Sequence, residues 1–175
     1  MLKQDIIELS ESPWSSPIVL VRKKNGTMRL YIDYRKVNDV MKDSFPVSRI
    51  DNELDALSGA EWFNVLDLQR CYFQVICDKN DREKTAFVTE NGRYQFKVMP
   101  MGLCIAPATF ERLMNKVLKG LSWKTCLAYL DDIIVFGDSF DCTLQRFREV
   151  FDRLRTASLK HSNADSLSRR PCVNC

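Results

Sequence analysis

Two pairs of short segments with alternating apolar and polar residues stand out along the chain. Each pair is interrupted by Asn-Gly, a dipeptide that favours a tight β-turn because both residues tolerate positive φ. The pattern therefore predicts two β-hairpins. The paired segments are 18–22 with 28–32 around Asn25-Gly26, and 84–89 with 93–98 around Asn91-Gly92.

Three other stretches repeat apolar residues every three or four positions, which is typical of amphipathic helices. We interpret these stripes as core, without a functional role. They comprise Ile50, Leu54 and Leu57; Phe110, Leu113, Met114, Val117 and Leu118, with Pro107 before them and Gly120 after; and Leu144, Phe147, Phe151 and Leu154, with Asp138-Ser139 as the predicted N-cap.

Continuous apolar runs predict three further strands, at 62–68, 125–130 and 133–137, with the last two joined at Asp131-Asp132. Strands linked mainly by tight turns, interspersed with helices in no regular order, are typical of an α+β fold with an antiparallel sheet. The sequence therefore predicts this fold class.

The composition favours an ordered intracellular protein. The chain has 175 residues, 45% of them hydrophobic and 28% charged. No apolar run reaches the roughly 20 residues of a membrane helix, and the first residues lack the layout of a signal peptide. The number of cysteines is odd, which favours reduced thiols packed as small apolar side chains. Four of these lie within apolar segments: Cys71, Cys77, Cys104 and Cys126.

The positive charge is concentrated in one region. The whole chain has a net charge of +3, and residues 20–49 hold eight basic and three acidic residues, a local excess of +5. Such a region suits a surface that faces phosphate groups. A solvated hairpin rich in lysine explains the same charge equally well.

Three aspartates occur where apolar residues dominate. Asp131 and Asp132 lie between two apolar runs, and Asp67 lies within another. Carboxylates are costly to bury, and adjacent ones repel each other, so a divalent cation would offset both costs. The alternative is that Asp67 caps a following short helix and that Asp131-Asp132 is a solvated turn.

Several motifs, in their order along the chain, resemble those of the reverse transcriptases of gypsy-type long-terminal-repeat retroelements. The central motif is Tyr129-Leu130-Asp131-Asp132, followed by four apolar residues. The others are Ser12-Pro13-Trp14-Ser15-Ser16-Pro17, Arg22-Lys23-Lys24-Asn25-Gly26, Asp33-Tyr34-Arg35-Lys36-Val37-Asn38, Leu66-Asp67-Leu68, Lys84-Thr85-Ala86-Phe87, Met99-Pro100-Met101-Gly102-Leu103 and Ala106-Pro107-Ala108-Thr109-Phe110.

The resemblance implies the fingers and palm of a right-hand polymerase, with an antiparallel palm sheet backed by helices. It assigns residues 1–42 and 75–105 to the fingers, 43–74 and 106–159 to the palm, and 160–175 to a tail similar to the end of a ribonuclease H domain. Asp165 in that tail would lack its metal-binding partners, so no ribonuclease activity is expected.

The resemblance also implies an activity, an RNA-directed DNA polymerase using two Mg²⁺ ions, with Mn²⁺ as a possible substitute. The partners would be an RNA or DNA template with its primer, and deoxynucleoside triphosphates. Asp67 and Asp131 would be the main metal ligands, assisted by Asp132 and the Leu68 carbonyl. The implied nucleotide contacts are Lys23 and Arg29 at the triphosphate, Tyr72 at the sugar, and Met101 and Gly102 in the pocket. Without the resemblance, Tyr72 would be interpreted as a core aromatic residue.

Three departures from the family pattern bear on activity. Arg70 and Cys71 stand where the family usually has a small residue and glycine, and Ile105 where it commonly has asparagine. After Lys160 the sequence continues with the tail instead of a thumb, which predicts poor solubility or a protein partner that covers the palm. A catalytically dead, nucleic-acid-binding remnant, or one without a stable fold, is therefore an alternative. The compartment, a cytoplasmic retroelement particle or the nucleus, stays open.

Overall fold

The computed structural model describes residues 1–22, 24, 26–41 and 55–160, with side chains up to 157 in the last helix. The chain divides into two units, Met1–Ser44 with Tyr72–Pro107 and Phe45–Cys71 with Ala108–Cys175. The described strands are β1 (Ile7–Leu9), β2 (Ile18–Arg22), β3 (Met28–Ile32), β4 (Trp62–Asp67), β5 (Phe87–Thr89), β6 (Gly92–Phe96), β7 (Cys126–Tyr129) and β8 (Asp132–Gly137); the described α-helices are α1 (Arg35–Asn38), α2 (Ala106–Val117) and α3 (Phe140–Lys160).

The first unit contains both predicted hairpins. Strands β2 and β3 have the predicted bounds, and their last register pair before the connection is Arg22 with Met28. In the second hairpin Thr89 pairs with Gly92, so the turn residues are Glu90 and Asn91. Gly92 then begins β6 with φ 132°, a conformation that glycine adopts without strain.

A short 3-10 helix, Arg82–Thr85, precedes β5, so the second hairpin starts later than predicted. Thr85 explains why this turn is formed. Its hydroxyl donates to the Arg82 carbonyl at 2.6 Å and accepts from the Phe96 amide at 2.9 Å. The buried Tyr34 hydroxyl donates to the Thr85 carbonyl at 2.9 Å, which links the end of β3 to the β1-β6-β5 sheet. Burial raises the pKa of the Tyr34 phenol.

The second unit is built on an antiparallel sheet with the strand order β4-β8-β7. Helix α2 contains most of the predicted apolar stripe, with Phe110 fully buried, and Gly120 follows it at φ 88°. Helix α3 begins where predicted, because the Ser139 hydroxyl accepts a hydrogen bond from the Cys142 amide at 3.4 Å. The helix predicted from Ile50, Leu54 and Leu57 falls mainly outside the described residues.

The buried face of α3 differs from the predicted stripe. Val150 is fully buried and Thr143 nearly so, whereas Leu144 is 37% exposed. Residues 143, 147, 150 and 154 follow the helical period, so this line, and not one starting at Leu144, faces the core. Phe147 and Phe151 stack on each other at a centroid distance of 6.2 Å.

The described cysteines are free thiols, and they differ in burial. Cys71 and Cys126 are buried, as predicted, but Cys104 is exposed. Burial raises the pKa of the Cys77 thiol to about 11 and that of Cys126 to about 11, so both stay protonated at neutral pH. Within the described part of the chain, no helix combines the length and apolar character that a membrane crossing requires.

Candidate active site

Asp67 and Asp132 face each other across two neighbouring strands. They form the last pair in the antiparallel register of β4 and β8, next to the pair Leu66 and Ile133. Tyr129 of β7 pairs with Asp132 on its other side. Directly opposed residues project from the same face of a sheet. The register therefore places the Asp67 and Asp132 side chains on one face, at one end of the second unit's sheet.

Asp131 lies in the turn beside this pair. Because Tyr129 pairs with Asp132, the turn consists of Leu130 and Asp131, not of Asp131 and Asp132 as predicted. Leu130 has φ 53°, a strained conformation for a branched residue. The Leu68 amide donates to the Asp131 carbonyl at 2.8 Å, which ties the end of β4 to the turn. The fold thus brings all three predicted acids to the same end of the sheet.

The prediction that these carboxylates lie in an apolar environment is wrong. Asp67, Asp131 and Asp132 are exposed, whereas the neighbouring pair Leu66 and Ile133 is buried. Leu66 directly precedes Asp67, and Ile133 directly follows Asp132. The buried core therefore ends at the pair Leu66 and Ile133, and the carboxylates extend into solvent. The exposure of Asp131 and Asp132 agrees with the alternative interpretation that they are solvated.

The acidic corner, Asp67 with Asp131 and Asp132, nevertheless has unusual electrostatics. Partial burial raises the pKa of Asp132, and the negative charges of Asp131 and Asp67 raise it further. Among the residues that the structure describes, none forms an ion pair or hydrogen bond with these three carboxylates. The corner is therefore negatively charged and open to a cation from solution.

The acidic corner has suitable ligand atoms for Mg²⁺, a hard cation that prefers oxygen. Yet no three His, Cys, Asp or Glu side chains in the described part of the chain are close enough together to hold one ion. The Leu68 carbonyl accepts a hydrogen bond from the Cys71 amide at 3.1 Å, and a carbonyl oxygen has a second lone pair available. The donor chemistry fits a divalent ion, but a three-carboxylate cluster is not formed.

The chain makes a sharp turn immediately after β4. Arg70 is exposed and has φ 54°, which is strained for a residue with a Cβ atom. Cys71 is buried and starts the 3-10 helix Cys71–Gln74, which also contains the half-buried Tyr72. Glycine at position 70 would adopt this left-handed conformation without strain.

Five of the predicted nucleotide contacts belong to the first unit, and three of them, Arg29, Met101 and Gly102, lie together. An Arg29 Nη2 atom lies 3.8 Å from the Met101 sulfur, and the guanidinium stacks over Tyr31 at 5.3 Å from the ring centroid. Gly102 has φ 100°, and a Cβ there would lie 3.5 Å from the Ile32 carbonyl oxygen. Lys23 lies outside the described residues.

Asn38 contacts the loop that contains Met101 and Gly102. The sequence alone assigns no functional role to this residue. Its side-chain amide donates to the Gly102 carbonyl at 2.9 Å and accepts from the Cys104 amide at 2.9 Å. The motif from Asp33 to Asn38 contains this residue, but nothing in the sequence shows that its amide reaches residues 102–104.

The comparisons with known proteins agree with these motifs. The family described as "Reverse transcriptase (RNA-dependent DNA polymerase)" matches residues 21–164. The Pol polyprotein of transposon 297 from Drosophila melanogaster is 41% identical over 166 residues, which cover 91% of this chain and 16% of that relative. The Pol polyprotein of the gypsy transposon from the same fly is 36% identical over 169 residues, 93% of this chain and 16% of the relative. The chain thus spans about a sixth of these relatives.

Solved structures show the same fold. The protease-reverse transcriptase of prototype foamy virus has a TM-score of 0.79 and 25% identity, over 89% of this chain and 21% of that one. A foamy viral protease-reverse transcriptase in complex with double-stranded DNA has a TM-score of 0.74 and 26% identity, over 89% and 27%. The fold is therefore the α+β fingers and palm of a right-hand polymerase. Because the family match covers most of the sequence, this chain belongs to the reverse transcriptase family.

Proposed function

We propose that the chain is the fingers–palm part of an RNA-directed DNA polymerase, which adds deoxynucleotides to a primer 3′-hydroxyl. The observation that carries the proposal is the register pair Asp67 and Asp132, with Asp131 in the adjoining turn. The second unit would then be the palm and the first unit the fingers. The relatives are polyproteins several times longer, so this activity would belong to one part of a larger protein.

Two Mg²⁺ ions, or Mn²⁺ in their place, would be held by Asp67 and Asp131, with help from Asp132 and the Leu68 carbonyl. When bound, such ions activate an attacking oxygen and stabilise a leaving one in phosphoryl transfer. Support comes from three carboxylates at one sheet end that have no ion pair with any described residue, and from the raised pKa of Asp132, which is caused by partial burial and by the charges of Asp131 and Asp67. In the chain itself, the Leu68–Asp131 hydrogen bond would hold the ligands in position.

The incoming deoxynucleoside triphosphate would contact Arg29, Lys23, Met101 and Gly102, and Tyr72 would crowd a 2′-hydroxyl. The proximity of Arg29 to Met101 and the positive φ of Gly102 support this assignment. An arginine fork suits phosphate oxygens, and glycine permits a close approach of the backbone. Arg29 stacks on Tyr31, so substrate would have to compete with that contact.

The template and primer would bind through phosphate contacts. The charge excess of +5 in residues 20–49 supports this, as does the double-stranded DNA bound by the foamy viral protein. A protein partner is also proposed. Phe63 is 51% and Val65 60% exposed on the face of β4 that carries Asp67, an apolar surface that a further protein segment would cover.

Primer extension tests the proposal directly. The purified chain should extend a primed RNA template with Mg²⁺ or Mn²⁺, and Asp131→Asn should abolish extension while the thermal melt stays cooperative. Asp152→Asn, the same change at an exposed position on α3, is the matched control and should keep full activity. If the wild-type chain makes no product under any metal condition, the proposed activity is refuted.

The second candidate is a chain that binds nucleic acid without catalysis. Two observations favour it: the carboxylates do not form a three-ligand group, and Arg70, three residues after Asp67, adopts a strained conformation. Binding that weakens steeply with salt, without extension, would support this candidate. Extension abolished by Asp131→Asn would exclude it.

A further inference from the structure

Asn38, which lies outside the loop that carries Met101 and Gly102, makes two hydrogen bonds to the backbone of that loop. Asn38, the last residue of α1, donates from Nδ2 to the Gly102 carbonyl and accepts the Cys104 amide at Oδ1, each at 2.9 Å. The two bonds fix the orientation of the Asn38 side-chain amide. The Gly102 carbonyl can only accept and so needs the NH₂ group, whereas the Cys104 backbone N–H can only donate and so needs the side-chain oxygen. The pair spans the backbone of residues 102–104.

Asn38 is itself well anchored. The backbone amide of Asn38 donates to the Tyr34 carbonyl at 2.8 Å, and the neighbouring Val37 is buried. Tyr34 in turn is buried and bonded to Thr85. The core of the first unit therefore fixes the position of Asn38. Through its two side-chain hydrogen bonds, Asn38 in turn fixes the backbone of the loop.

The loop needs such support because its own backbone is unusual. Gly102 has φ 100°, and its carbonyl would otherwise face solvent. Met101 precedes it, is 37% exposed and lies 3.8 Å from Arg29, so a small rotation of the loop would change this contact. Restricting the loop before substrate arrives would lower the entropy cost of binding.

We propose that Asn38 is a positioning residue, whose amide holds the Met101–Gly102 loop in the conformation that accepts the incoming deoxynucleotide. This inference rests on the proposed function, since it concerns the nucleotide site of that reaction. Asn38 does not touch substrate in this role. Its effect should therefore appear in the affinity for nucleotide, with less effect on template–primer affinity or on the chemical step.

Two variants separate the bonds. Asn38→Asp keeps the acceptor for Cys104 but places a carboxylate oxygen against the Gly102 carbonyl, whereas Asn38→Leu removes both bonds at similar size. Each should raise the KM for deoxynucleotide about fivefold, the scale of losing a solvent-accessible hydrogen bond, while kcat and the KM for template–primer change less than about twofold. Asn91→Asp, the same chemical change in the β5–β6 turn of this unit, should leave all three constants unchanged.

A fall in kcat alone, or equal increases in both KM values, would overturn the inference, as would unchanged constants in variants that melt like wild type. If the wild-type chain does not extend primers, the proposed function fails, and titration with Mg²⁺ and deoxythymidine triphosphate decides the inference separately. Weaker binding in the Asn38 variants than in Asn91→Asp would support it. Equal binding in all three, or no binding by the wild-type chain, would overturn it.

Discussion

Asp67 and Asp132 are cross-strand partners at the end of the second unit's sheet, and the pKa of Asp132 is raised by partial burial and by the charges of Asp131 and Asp67. Two negative charges in this position repel each other. The strand register that brings the acids together therefore also destabilises the folded chain slightly. A cation would reverse the sign of this effect. The arrangement is therefore testable through stability as well as through activity.

Asp132→Asn should stabilise the ion-free chain by about 0.5 kcal/mol, the scale of an exposed charge pair. It should also reduce the stabilisation by Mg²⁺, because one oxygen ligand loses its charge. Thermal melts with and without Mg²⁺ measure both effects, and Asp152→Asn is the control for loss of one negative charge. If the melting temperature of both variants rises equally with Mg²⁺, the acidic corner does not bind the ion.

The same pair predicts a pH dependence. Since the pKa of Asp132 is raised in the folded chain, the folded state holds this proton more tightly than the unfolded state, whose pKa is near 3.8. The contribution of Asp132 is thus most favourable below pH 3.8 and is lost as the pH rises towards its folded pKa. Urea unfolding from pH 3 to 7 should show the Asp132→Asn chain gaining relative stability over this interval; a constant difference would contradict it.

Asp33 should behave in the opposite way. The hydrogen bonds and charge of Arg35 lower the pKa of Asp33 to about 2, so its contribution is present above pH 3.8 and is lost as the pH falls through 2. Asp33→Asn should therefore remove stability at neutral pH but not near pH 2. The pair is solvent-exposed at Arg35, so a high salt concentration should reduce the difference between the two chains. A difference unaffected by both pH and salt would show that the ion pair contributes nothing.

Arg70→Gly should stabilise the chain by about 1 kcal/mol, because φ 54° costs an L-residue about this much and costs glycine nothing. Arg70→Ala keeps the strain and removes the guanidinium, so it separates the two features. Urea unfolding measures the stability, and primer extension measures the activity. An increase in extension with glycine but not with alanine would identify the backbone as the obstacle, whereas an increase with both would identify the side chain. Equal stabilities of the three chains would show that the turn is unstrained.

Tyr72→Ala tests the proposed sugar contact. If the ring crowds a 2′-hydroxyl, the ratio of ribonucleotide to deoxynucleotide incorporation should rise by about tenfold or more, the scale of losing a specific steric contact. Single-nucleotide extension with each substrate measures this ratio, and Tyr94→Ala is a comparison at another half-buried tyrosine. An unchanged ratio would mean that Tyr72 is a packed aromatic residue without a role in sugar selection.

Local patterns in the sequence predicted much of the fold. Strands β2 and β3 and helices α2 and α3 follow from apolar periodicity, helix caps and turn residues, each of which acts over a few neighbouring positions. The turn residues were less predictable. Glu90-Asn91 and Leu130-Asp131 form the turns because strand pairing, and not intrinsic turn preference, fixed where each hairpin closes.

By itself, the sequence determined the two hairpins, the main helices, the family and the identity of the three acids, because these depend on residue type and local order. Only the tertiary structure decided that Asp67 pairs with Asp132, that the acids are exposed, that Arg70 has a strained backbone and that Asn38 reaches Gly102 and Cys104. These features arise between residues far apart in the chain. Their register, burial and hydrogen bonding are fixed when distant segments pack together, and no local pattern encodes them.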